Sequence, residues 1–300
     1  NWLLRLALKT THWGRRNTTA RSRENIAAHY DLGNEFFSLF LDPSMMYSAA
    51  VFPAPHSDLA AASQHKLRLI CEDLELKPED HLVEIGTGWG GMAIYAAEQH
   101  HGRVTNTPMT KEQRDYAVEA VKKRGLQDRI TVLFDDYRDL EGQFDKLVSI
   151  EMIEAVGHQF YDTYFGTLSR LLKPDGKAVI QSITMTDQRY EQARDAVDFI
   201  KRYIFPGGCL PSLNVISNAV TNVTDMQLSG LRDITRDYAD TLQDWHDTFL
   251  TQLDQVRAMG FDDQFIRMWR YYLSYCEGGF RERIIGTYQI TMTKPYYRPN

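Results

Sequence analysis

Three things are scarce in this sequence, and each scarcity excludes something. Cysteine occurs only at Cys71, Cys209 and Cys276, too far apart for a disulfide framework or a zinc-ligand spacing; this usage fits a reducing cytoplasm. No apolar run approaches the ~20 residues that span a bilayer, and the mean hydropathy is -0.42. Positive charge is not in excess: 34 Lys and Arg stand against 40 Asp and Glu, for a net charge of -6. That balance argues against a general nucleic-acid binder. There is no internal repeat and no low-complexity tract. What is present is material for a core, since 43% of the 300 residues are apolar. That suits one large domain or two small ones.

The chain is organised around His81-Leu82-Val83-Glu84-Ile85-Gly86-Thr87-Gly88-Trp89-Gly90-Gly91. The apolar run with an acid near its end reads as a buried strand. Glycines follow at once, and a helical pattern starts at Met92-Ala93-Ile94. Strand, glycine turn and helix let a ligand approach main-chain N–H groups with no Cβ in the way. The spacing is not G-x-G-x-x-G, because the third glycine comes too early, and no P-loop lysine follows. An acid before G-x-G resembles motif I of S-adenosylmethionine (SAM) dependent methyltransferases. SAM carries a cationic amino group, so Glu84 at the strand tip is suited to its methionine end.

Residues 1–24 differ from the rest. Arg5, Lys9, Arg15, Arg16, Arg21 and Arg23 meet no acid before Glu24, and Trp2, Leu3, Leu4 and Trp13 add apolar contacts. Such a basic amphipathic segment can lie on an anionic membrane surface, or it links to a domain outside this sequence, which starts at Asn1 without a methionine. Residues 25–300 read as the main domain. Leu41 to Phe52 reads as a loop whose Tyr and Ser hydroxyls suit the closing of a site. Ala60 to Asp73 reads as an amphipathic helix. A second strand, Gly102–Asn106, leads to a helix capped by Thr110-Lys111-Glu112-Gln113. A third strand, Arg129–Phe134, carries Asp135-Asp136-Tyr137 at its tip. A fourth, Phe144–Ile150, delivers Glu151-Met152-Ile153-Glu154. Two acids there are costly unless one meets a cation or shares a proton. A helix ending at Lys173-Pro174-Asp175-Gly176 precedes a fifth strand, Lys177–Ile183, with Gln181 near its tip. Strand–helix alternation predicts an α/β, doubly wound, mostly parallel sheet. Residues 186–280 read as a helical cover for substrate, and Ile284–Thr293 as the closing strands. For the aromatics Trp245, His246, Phe249, Trp269, Tyr271, Tyr272 and Phe280, packing in a core is the plainest role.

From about His29 onward the chain resembles the cyclopropane-fatty-acid-phospholipid synthase and mycolic acid cyclopropane synthase group of SAM methyltransferases. The likeness rests on His29-Tyr30-Asp31-Leu32-Gly33-Asn34-Glu35-Phe36-Phe37, Met46-Tyr47-Ser48, Glu84 to Gly91, Asp136-Tyr137-Arg138-Asp139-Leu140, Tyr203-Ile204-Phe205-Pro206-Gly207-Gly208 and Tyr271-Tyr272-Leu273. It implies a seven-stranded, Rossmann-like class I fold. It implies a SAM site lined by Tyr30, Tyr47, Ser48, Gly86, Gly88, Gln113 and Asp136, to which the strand-tip residues Glu84, Tyr137 and Ile150 are added. It also implies a bicarbonate held by a glutamate and a tyrosine, matching Glu154 and Tyr238. Two members of that bicarbonate pocket are changed: the family's cysteine is Ala49 here, and its strand-five histidine is Gln181. Pro108 replaces a threonine near the ribose. Glu154, Tyr238 and Gln181 are therefore the expected catalytic group, with bicarbonate weakly held or lost.

The chemistry implied is methyl transfer to the double bond of an unsaturated fatty acyl chain of a phospholipid. A double bond is a poor nucleophile, so the methyl must be presented in line in a water-poor site. The resulting carbocation needs an anion nearby and then a base. The product expected is an open-chain methylated or methylene chain ahead of a cyclopropane ring. The expected setting is cytoplasmic, at the inner face of the membrane, as a monomer or a homo-oligomer. Two rival readings are a small-molecule amine N-methyltransferase and an inactive SAM- or lipid-binding homologue.

Overall fold

The run His81–Ile85 forms strand β1, and Leu82 to Ile85 are buried, as a strand covered on both faces requires. In this computed structural model residues 32–299 are described; the basic segment 1–24 and Tyr30 lie outside them. Around β1 are ranged β2 (Arg103–Thr107), β3 (Ile130–Val132), β4 (Phe144–Ile150), β5 (Leu172–Met185), β6 (Gln227–Asp233) and β7 (Ile285–Thr293). Their order across the sheet is β3-β2-β1-β4-β5-β7-β6. All neighbouring pairs from β3 to β5 are parallel, and β7 runs antiparallel to both β5 and β6. The chain reverses its direction of growth between β1 and β4, and the crevice at such a switch is where open α/β sheets take ligands.

Helices α1 (Asn34–Ser38), α2 (Leu59–Leu74), α3 (Gly91–His100), α4 (Lys111–Lys123), α5 (Tyr161–Leu171), α6 (Asp187–Asp195), α7 (Leu213–Val223), α8 (Thr235–Thr251), α9 (Leu253–Ala258) and α10 (Asp263–Arg281) complete the description. The cap expected at Thr110 is present, and Asp58 supplies a second. Asp58 accepts from the Ala61 amide at the start of α2, and Thr110 accepts from the Gln113 amide at the start of α4. One sheet face packs Leu82, Val104, Val148 and Val179 with α2 and α3. The other packs Val83, Ile85, Leu147, Ala178 and Ile180 with α5 and α7. A third cluster joins Phe36, Phe37 and Phe40 to Trp245, Phe249, Trp269 and Phe280. Trp245, Phe249, Trp269, Tyr272 and Phe280 are core, as expected, whereas Tyr271 is 53% exposed and His246 is half-buried.

Three expectations change. The stretch 186–280 is not helical throughout, because β6 lies inside it. Ile284–Thr293 supplies one strand, β7, rather than several. The residues Lys173 to Gly176 belong to β5, whose pairing with β4 shifts register between Phe144 and Lys146.

Candidate active site

The glycine turn after β1 is a cradle. Gly86, Gly88 and Gly90 have φ of 81°, 55° and 93°, the left-handed region where a side chain is costly. A Cβ at Gly86 would stand 2.7 Å from Met152 Cγ, whereas one at Gly88 would meet nothing within 4 Å. The turn is thus packed below and open above. Asn106 stands level with Glu84 in the β1–β2 register. Its side-chain oxygen and nitrogen, Glu84 Oε2 and Gln113 Oε1 are all buried with no protein partner. Buried polar atoms are normally paired, so these three side chains fit a polar ligand seated on the turn. Burial pushes Glu84 up to about 8, against the Ala93 amide; a cationic amine beside it would restore the carboxylate. The set fits SAM, with Glu84, Asn106, Gln113 and the main chain at Gly86 and Gly88 as its holders.

The remaining expected cofactor residues are placed as follows. Asp136 caps the short turn Tyr137–Asp139, and both its oxygens engage the Arg138 guanidinium, at 2.7 and 2.6 Å. Tyr137 is buried against Tyr164, and Ile150 is buried at the end of β4. The Tyr47 hydroxyl meets that of Tyr272 at 2.9 Å. The Ser48 hydroxyl accepts from the ammonium of Lys66, which has no exposed surface, at 2.6 Å. Leu41 to Phe52, expected as a loop able to close a site, is irregular but largely buried, so it forms wall rather than flap.

Beyond the turn, the end of β4 delivers two carboxylates. Glu151, at φ 48°, follows β4 directly. Its Oε1 accepts from the Ala49 amide at 2.9 Å and from Gln181 Nε2 at 2.8 Å, and its Oε2 accepts from the Tyr238 hydroxyl at 2.8 Å. Glu154 sits on the short turn Ile153–Ala155; its Oε1 accepts from the Ile183 amide at 2.5 Å, and its Oε2 is buried with no partner. Tyr238 stacks on Phe280 with ring centroids 4.5 Å apart. Tyr238, expected to hold a bicarbonate together with Glu154, donates its hydroxyl to Glu151, because α8 brings it to the first of the two acids.

Burial pushes Glu154 up to about 8, and the neighbouring charge of Glu151 adds to the rise. Burial also raises Glu151, but the Gln181 amide, the Ala49 amide and the charge of Lys66 pull it back towards carboxylate. Lys66 itself is lowered by burial to about 8, with Glu151 and Asp42 opposing. A bicarbonate does not fit here. The donors that would hold it, at Ala49, Gln181 and Tyr238, are spent on Glu151, and two carboxylates already occupy the neighbourhood.

Sequence reasoning passed over Asn106, Lys66 and the role of Glu151. Two acids three residues apart were the visible signal for the last. A groove of about 700 Å³ beside His81, Thr105, Thr131 and Phe144 contains none of the expected site residues and lies away from this chemistry.

A parallel sheet with one reversed strand, switching direction above an acid and a glycine turn, defines the class I SAM-dependent methyltransferase fold. Comparison with known proteins narrows this: the chain belongs to the mycolic acid cyclopropane synthetase family, whose model matches residues 17–290. It is 38% identical over 281 residues to the tuberculostearic acid methyltransferase UfaA1 of Mycobacterium tuberculosis, covering 91% of this chain and 66% of that one. It is 39% identical over 268 residues to the cyclopropane-fatty-acyl-phospholipid synthase of Escherichia coli K12, covering 89% and 66%. The chain thus spans just under two thirds of the length of these two relatives. Among solved structures it is similar to the mycolic acid cyclopropane synthase CmaA1 complexed with SAH and CTAB. The TM-score is 0.84 at 28% identity, over 91% of this chain and 98% of that one.

Proposed function

We propose that the protein transfers the methyl group of SAM to a double bond of an unsaturated fatty acyl chain carried on a phospholipid. The observation that carries this reading is the buried, unpartnered oxygen of Glu154. A carboxyl oxygen left buried without a partner is costly to ionise. It is repaid by a positive charge that arises only during the reaction. SAM bound on the glycine turn supplies an electrophilic methyl. The chain's own residues do the rest: Glu84, Asn106 and Gln113 hold the donor, and burial keeps water from the Glu154 oxygen. Glu154, steadied by the Ile183 amide, faces the cation left on the acyl chain. With Gln181 unable to titrate, an open-chain methylated or methylene product is favoured over a ring.

On this reading the protein works at the cytoplasmic face of a membrane, where a phospholipid substrate is met. Among the described residues no helix is long and apolar enough to cross one. Support for surface binding comes from Tyr203, Tyr271 and Tyr275, which are exposed and linked by ring contacts with Phe199. The Arg202 guanidinium lies over the Tyr203 ring at 5.0 Å. Exposed tyrosines beside an arginine suit a headgroup layer.

The test is turnover of the full chain with SAM on vesicles of monounsaturated phospholipid. Release of SAH with a gain of one CH2 per acyl chain supports the reading, and proton NMR separates ring methylene from vinylic protons. SAM binding without any lipid product would refute it.

A further inference from the structure

We propose that Glu151 is itself the proton-accepting anion of this site, so that turnover needs no bicarbonate. The inference rests on the methyl-transfer reading above and assigns it a catalytic residue.

Three observations carry it. The first is the set of donors. A main-chain amide, a side-chain amide and a phenol converge on one carboxylate, at 2.9, 2.8 and 2.8 Å. They come from three distant parts of the chain. The second is orientation. The Arg232 guanidinium, paired with Asp73 at 2.6 and 2.9 Å, can only donate, and it donates to Gln289 Oε1 at 2.7 Å. Gln289 must then offer its Nε2 to Gln181 Oε1, at 3.1 Å. Gln181 is left with its own Nε2 towards Glu151. A chain of side chains running across the sheet thus turns Gln181 into a fixed donor, the partner an anion wants. The third is backbone. Glu151 holds φ 48°, where glycine or asparagine is the easier residue. A glutamate kept in that conformation, in a buried spot, points to a task for its carboxylate.

The step balances without a further reagent. One alkene carbon takes the methyl, and the C–S bond breaks with its electron pair left on sulfur. The neighbouring carbon becomes positive. A C–H bond next to the positive centre then breaks, its electron pair quenches the charge, and the proton passes to Glu151. Tyr238 and Gln181 stay as donors throughout, and the proton later leaves to water.

The test compares the wild-type full chain with Glu151→Gly and Glu151→Gln, in buffer stripped of carbonate and again with added bicarbonate. SAH release on unsaturated phospholipid vesicles is measured, and SAM binding by calorimetry confirms folding. Wild type is expected to turn over equally in both buffers. Glu151→Gly opens the donor pocket. It should lose about a hundredfold or more in the stripped buffer, the scale of a lost general base, and regain activity with bicarbonate. Glu151→Gln fills the pocket without a base and should stay inactive in both. A wild type that needs bicarbonate, or a Glu151→Gly variant at full rate without it, overturns the assignment while leaving methyl transfer standing. A wild type that binds SAM and methylates no lipid under either condition removes the underlying reading as well.

Discussion

The backbone amide of Ile183 donates to Glu154 Oε1 at 2.5 Å, while Oε2 of the same carboxylate is buried without a partner. One oxygen fixes the side chain and the other is kept for something else. Glu154→Gln should lower kcat by about a hundredfold, as when one electrostatic stabiliser of a transition state is removed. SAM affinity by calorimetry should be unchanged. Undiminished turnover would take Glu154 out of the mechanism.

The glycine turn separates packing from binding. Gly86→Ala drives a Cβ to within 2.7 Å of Met152 Cγ and should cost about 1–3 kcal/mol in urea unfolding. Gly88→Ala meets no protein atom within 4 Å. It should lose only the roughly 1 kcal/mol that a left-handed φ of 55° costs an alanine, yet bind SAM about tenfold more weakly, on the order of 1.4 kcal/mol. Equal effects of the two substitutions on both measurements would contradict this division.

Lys66 holds Glu151 towards its charged form across a site with no exposed surface at the lysine. Removing that charge in Lys66→Met raises the Glu151 carboxyl. The acid limb of the kcat–pH profile should then move to higher pH, by about one unit. An unmoved limb would mean that Glu151 is not the group whose ionisation sets the rate.

Much of this arrangement is legible before any fold is known, and the reasons differ by element. The β1 turn is local: four glycines after an apolar run leave few conformations. The cap at Thr110 is equally local. β6 was not legible, because it is an edge strand exposed along nearly its whole length and shows no alternation. Lys66 reads as the polar face of an amphipathic helix, and only the packing of α2 against the loop carrying Ser48 buries it. Glu151 was visible as an acid. Its partner Tyr238 lies 87 positions away on α8, so nothing in the spacing could say which of the two glutamates it meets.

Stability of the SAM-free protein should depend on pH in two opposed windows. Glu84 and Glu154 are raised from 4.5 to about 8. Between those values the folded chain keeps protons that the unfolded chain releases. Stability therefore falls as pH rises through this window, by on the order of 5 kcal/mol per group at most. Lys66 is lowered from 10.5 to about 8, so above 8 its contribution runs the other way and stability recovers. Urea midpoints at pH 5 and pH 8 check the first window. Glu84→Gln should flatten the difference, and an unchanged slope would show that Glu84 is not buried as described.

The left-handed backbone at Glu151 has a consequence for anyone improving this protein. A heat-challenge library scored only on survival should enrich glycine or asparagine at position 151, since either relaxes a φ of 48°. The most durable clones would then be the poorest alkylating catalysts. Robustness and chemistry make opposite demands on a single codon, and a screen that reads product as well as survival is needed to keep both.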